Sequence, residues 1–159
     1  MKPQIEHRFV IVVAIALSLA GVAKIWSVVD AHPSLSSTDP VFLLKLRTAF
    51  LIAAALEFGV AAVCLFRPII DGLVAVAWLS TVFLTYRIGL WWVGWQKPCS
   101  CLGNLTDALH ISPQLADNVM KGLLGFMLIG SVSLLILHQR QGRAASPLRE
   151  QPTPEPTQA

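Results

Sequence analysis

Long runs in which nearly every position is apolar dominate the chain, separated by short polar stretches. Four runs, at residues 9–29, 48–66, 73–92 and 119–137, approach or reach the ~20 helical residues that cross a hydrocarbon core. Between them, segments 30–45 and 94–118 carry the Pro, Ser, Asp and His of loops, and residues 67–71, opening with Arg67-Pro68, read as a tight turn. The pattern predicts an all-α protein: an integral membrane four-helix bundle over residues 1–138. Residues 139–159, rich in Pro, Gln, Thr and Arg, are expected to form a disordered tail. No internal repeat is visible.

The first run resembles a signal peptide in its basic start and in the small residues Gly21-Val22-Ala23. It continues past them to Val29, longer than a typical signal core, so a retained helix is expected. Four crossings put both chain ends on one side and segments 30–45 and 94–118 together on the other. Lys2, Arg8, Arg67, Arg140, Arg143 and Arg149 fall on the terminal side, against Lys45, Arg47, Lys97 and Lys121. The positive-inside rule therefore favours cytoplasmic termini in a cell (inner) membrane. Trp26, Trp91, Trp92 and Trp95 collect near the opposite interface, as an aromatic belt would.

Composition agrees with a bilayer as solvent: 159 residues, 55% apolar and 13% charged. The formal charge of +3 does not point to nucleic acid, because the basic residues are scattered and form no patch interleaved with aromatics. Three cysteines exclude a dense disulfide framework and suggest one pair plus one odd thiol.

That pair is Cys99 and Cys101, in the run Lys97-Pro98-Cys99-Ser100-Cys101-Leu102-Gly103. Placed outside the cytoplasm, it lies where disulfides persist. A disulfide spanning one intervening residue is strained, and strained, exposed disulfides are oxidising and readily handed on. The same thiols would also serve a static disulfide or a soft metal. His110 is the nearest extra metal ligand, and the missing second ligand pair argues against a closed zinc site. Asn104 is placed to cap a short turn, and Ser112-Pro113 is a start signal for the last helix.

Charges inside the apolar runs form the second candidate group, since each is costly there unless it pairs or faces a polar cavity. Lys24 and Arg87 lie roughly 7 Å below the loop-side interface and Glu57 roughly 15 Å, counted at about 1.5 Å per residue. The three are candidates to converge beneath the thiols. Snorkelling to head groups is the alternative for Lys24 and Arg87, and the partner of Glu57 is open between them. Cys64, near the other surface, is expected to pack as a small hydrophobe. Gly21, Gly59, Gly89, Gly125 and Gly130 are expected to permit close helix packing.

The run Ala20-Gly21-Val22-Ala23-Lys24, with Glu57, Arg87 and Pro98-Cys99-Ser100-Cys101-Leu102-Gly103, resembles the MauE (methylamine utilisation) branch of the DoxX-like membrane proteins over about residues 8–138. The family tends to have Gly between the cysteines and an aromatic after them, where this chain has Ser100 and Leu102. The resemblance implies a four-helix membrane protein that assists disulfide formation or maturation of an extracytoplasmic client. It assigns Cys99 and Cys101 as redox thiols and Lys24, Glu57 and Arg87 as polar support. DoxX relatives are tied to quinone-linked sulfur oxidation, so quinone is the cofactor it suggests. The rival expectations are a non-enzymatic assembly or anchoring subunit with a structural disulfide, and a small-solute or metal-handling membrane protein.

Overall fold

A computed structural model describes residues 3–30, 38–94 and 112–145. It contains four helices, α1 (Pro3–Val29), α2 (Leu46–Phe66), α3 (Ile69–Trp92) and α4 (Pro113–Ala145). All four are long and apolar enough to cross a membrane. Among the described residues there is no β-strand beyond an isolated bridge between Thr38 and Lys45.

Helix ends follow local chemistry. The Arg67-Pro68 step breaks the chain between α2 and α3, because proline has no N–H to extend α2 and disfavours helical backbone in the residue before it. The break is shorter than the sequence pattern suggests: α3 restarts at Ile69, and Asp71 falls in its first turn, where a carboxylate favours the helix dipole. At the other end Gly94 has φ +74° and donates its N–H to the carbonyl of Trp91 at 3.0 Å, a left-handed stop that glycine adopts without strain. The last helix starts at Pro113, as Ser112-Pro113 predicts, with the Leu115 N–H directed at the Ser112 carbonyl (3.0 Å) and Oγ (3.4 Å). It extends to Ala145, beyond the boundary expected at residue 138.

α1 packs chiefly on α2 and α3 on α4, with a smaller contact between α2 and α3, an up-and-down order. Glu6 near the start of α1 and His138 near the end of α4 approach to 3.7 Å, so the first and last helices meet at one end of the bundle. Val10, Val13, Ala14 and Leu17 of α1 meet Val60, Ala61 and Cys64 of α2, Leu73, Val76 and Leu79 of α3, and Met127 and Leu134 of α4. The outer faces are as apolar as the inner ones: Val12, Ile15, Leu19 and Val22 on α1 and Phe126 and Ile129 on α4 are exposed. Lipid must cover them, because water would leave large apolar areas unsheltered.

Small residues set the interhelical spacing. A β-carbon added at Gly130 would lie 2.5 Å from Phe9 Cε2, and the Phe9 ring also packs against Phe126 with centroids 5.4 Å apart. Gly130→Ala is therefore expected to force the Phe9 ring aside and destabilise the bundle by about 1–3 kcal/mol. Gly125→Ala, whose added carbon meets nothing within 4 Å, should not. Unfolding of both variants in mild detergent checks the contrast.

Candidate functional site

In α2 the buried positions Phe50, Ala54, Glu57, Ala61 and Cys64 recur every three or four residues, the spacing of one helix face. In α1 the buried stripe runs through Val10, Ala14, Leu17, Lys24 and Val28. Each stripe thus carries one charge in place of a hydrophobe, and the two charges meet: Lys24 Nζ lies 2.6 Å from Glu57 Oε1. Their side chains are only 6% and 2% exposed, so Lys24 is a buried partner rather than a snorkelling side chain.

Helix geometry explains the meeting. Cα–Cβ bonds tilt toward a helix's own N-terminus, so on antiparallel neighbours Lys24 leans inward from the loop end while Glu57 leans outward toward it. Gly21 packs directly against the Phe58 ring, with an added β-carbon only 2.9 Å away, which brings α1 and α2 close at this level. Glu57 Oε2 and Ser80 Oγ have no hydrogen-bond partner among the described residues.

Arg87 does not join this pair. Its Nη1 lies 2.7 Å from Asp117 Oδ1, and Lys121 Nζ lies 2.6 Å from Asp117 Oδ2. The reason is packing order: α3 is covered mainly by α4, and the early turns of α4 set Asp117 beside Arg87. In the sequence Asp117 is hidden among the polar residues of segment 94–118. Its signal was the Asp117–Lys121 spacing of four, a helix-surface ion pair.

A third polar centre lies at the loop end. Asp39, 1% exposed, accepts hydrogen bonds at Oδ1 from the N–H groups of Val41 (2.8 Å) and Phe42 (2.9 Å). Its Oδ2 accepts the Tyr86 hydroxyl, and the Phe42 and Tyr86 rings stack with centroids 5.4 Å apart. Segment 38–45 is thereby fastened to α3 one residue before Arg87. Asp39-Pro40, a turn-initiating pair, and the only tyrosine in the chain were the available signals.

Cys99, Cys101 and His110, like Trp95, Lys97 and Asn104, lie outside the described residues. Cys64 is buried, with Sγ 3.9 Å from the Gly72 carbonyl, and packs as a small core residue. Trp26, Trp91 and Trp92 are exposed at the loop end.

A quinone head group would need hydrogen-bond donors for its carbonyls. Lys24 is committed to Glu57, an ionised Glu57 Oε2 only accepts, and Ser80 is fully buried beside fully buried Leu79. None of these three buried side chains is open to such a ligand.

Four apolar helices joined by buried and interfacial ion pairs define a multi-pass membrane protein. No protein-family model, curated protein or solved structure matches this chain.

Proposed function

We propose that this is a thiol–disulfide exchange protein of the cytoplasmic (inner) membrane, with the segment carrying Cys99 and Cys101 outside the cytoplasm. The observation that carries the reading is the Cys99-Ser100-Cys101 pair in the connection from α3 to α4, whose flanking helices are joined by Arg87 and Asp117. The excess of Lys and Arg on the terminal side supports the orientation.

In the exchange, a client thiolate attacks one sulfur of the Cys99–Cys101 disulfide. The S–S bond breaks, a mixed disulfide forms, and the other cysteine leaves as a thiolate. A second client thiolate then displaces the protein, so the client gains a disulfide and the pair takes two electrons. An oxidised thioredoxin-like partner restores the pair by the reverse exchange and is itself reduced to a dithiol.

A second reading, an assembly or anchoring subunit, is favoured by one feature: each interhelical polar pair described above locks one helix to another. The two readings separate in one experiment. With Cys101→Ser, the remaining thiol should accumulate a mixed-disulfide adduct in cells, and Cys99→Ser/Cys101→Ser should abolish it. An adduct pattern unchanged in the double variant removes the exchange reading. A double variant that folds and still supports client maturation favours the anchoring one. Impermeant thiol reagent that labels the pair only after reduction confirms the orientation; labelling only after membrane rupture reverses it.

A further inference from the structure

Segment 38–45 presents three consecutive large hydrophobes outward: Phe42, Leu43 and Leu44 are 57%, 79% and 43% exposed. Leu43 has φ 56°, a left-handed conformation uncommon for a residue with a branched side chain. The surrounding bonds hold it. The Asp39 N–H donates to the Leu44 carbonyl (2.7 Å), and the Leu43 N–H to the Asp39 carbonyl (2.9 Å). Asp39 Oδ1 takes the N–H groups of Val41 and Phe42, and Pro40 has none. Every backbone donor from residue 39 to 43 is thus satisfied within the segment. Lipid-exposed irregular backbone does not enter the hydrocarbon core, so a segment bonded in this way is placed at the interface, where head-group water reaches its carbonyls.

Its depth follows from its neighbours on α3. Val41 packs on Gly89, 3.5 Å from where a β-carbon would lie, and Phe42 stacks on Tyr86. Those positions precede the end of α3 at Trp92 by three and six residues, or about 4.5 and 9 Å of helix rise. The segment therefore lies alongside the last two turns of a spanning helix rather than beyond it. Trp91 and Trp92, 81% and 84% exposed, lie at or past its level, in the position of interfacial anchors. Lys45 and Arg47, both exposed, follow the apolar tip at once, where a cation meets lipid phosphate.

We infer that Phe42-Leu43-Leu44 is an interfacial wedge inserted into the loop-side leaflet, with Lys45 and Arg47 selecting anionic phospholipid head groups beside it. The inference is independent of the thiol chemistry. Burying the tip in the acyl boundary removes exposed apolar area from water, and the two basic side chains stay in the head-group layer.

The test places a photo-crosslinker in the intact chain as Leu43→p-benzoylphenylalanine. The protein is irradiated in phosphatidylcholine nanodiscs with and without phosphatidylglycerol. Val22→p-benzoylphenylalanine, on an exposed face of α1, reports folding and crosslinking to lipid. Mass spectrometry should find phospholipid adducts at both positions. At position 43, phosphatidylglycerol should be enriched several-fold over its share of the bilayer, and Lys45→Gln/Arg47→Gln should erase that enrichment. Lipid adducts at position 22 without any at 43 would place the tip in water and overturn the wedge. A crosslink from 43 to a second copy or to another protein would overturn it in favour of a protein interface. Enrichment that survives the double Gln substitution would remove Lys45 and Arg47 from the proposal.

Discussion

Glu57→Ala is expected to lower the unfolding free energy of the detergent-solubilised protein by about 3–5 kcal/mol, because it strands the Lys24 ammonium without its carboxylate. Lys24 Nζ and Glu57 Oε1 are 2.6 Å apart and almost fully buried, so water cannot take over as the missing partner. Lys24→Met should cost less, since an unpaired Glu57 can take up a proton and remain as a neutral carboxyl. The double variant Lys24→Met/Glu57→Leu should recover most of the loss, as two apolar side chains of similar volume require no desolvation of charge. Thermal or denaturant unfolding of the two single variants and the double variant forms a cycle that measures the coupling. A double variant no more stable than Glu57→Ala would show that the site needs charge for more than mutual neutralisation. Recovery of stability without recovery of the proposed client maturation would give the pair a functional part.

The second large effect is expected at Asp39. Asp39→Ala removes the acceptor for the Val41 and Phe42 N–H groups and for the Tyr86 hydroxyl. A buried donor left unsatisfied costs about 1–3 kcal/mol. Partial rehydration should limit the total to about 2–4 kcal/mol, felt as local opening of segment 38–45. Amide hydrogen exchange at Val41 and Phe42 should then accelerate by orders of magnitude, with little change in mid-helix amides of α1. Asp39→Asn keeps an acceptor oxygen and should open the segment less. Tyr86→Phe removes one donor and keeps the ring stack, so about 1 kcal/mol is expected. Unchanged exchange at Val41 and Phe42 in Asp39→Ala would show that the bridge between Thr38 and Lys45 and the Phe42–Tyr86 stack suffice without the carboxylate.

The two sites differ in how much of them the chain displays. Lys24 and Glu57 stand out as charges within apolar runs, and the three-and-four spacing of their helices puts both on buried stripes. Their pairing was one of two options because Arg87 lies at a comparable depth. Only the order in which helices cover one another separates these options: α2 lies on α1, and α4 lies on α3. Asp117 was hidden for a related reason. Its polarity reads as loop, and it becomes a helix residue because Ser112-Pro113 starts α4 early enough to carry it past Arg87. The Asp39 centre was the least legible, since its partners Phe42 and Tyr86 are separated by the whole of α2 and most of α3.

By itself the sequence determines that this protein lives in a bilayer as four helices, because apolar length and the need to satisfy every backbone group leave no other fold for such segments. It also determines the parity of the termini and the thiol pair in the last connection, while the helix ends differ from the apolar runs, α3 beginning at Ile69 and α4 running from Pro113 to Ala145. Tertiary structure alone decides that Glu57 belongs to Lys24 and Arg87 to Asp117, and that segment 38–45 is a folded strap rather than a tether. The reason is that lipid is as apolar as a helix surface: hydropathy separates membrane from water but not lipid-facing from helix-facing. Which faces touch is settled by close packing at small residues such as Gly21 and Gly130 and by the few polar groups that must find one another.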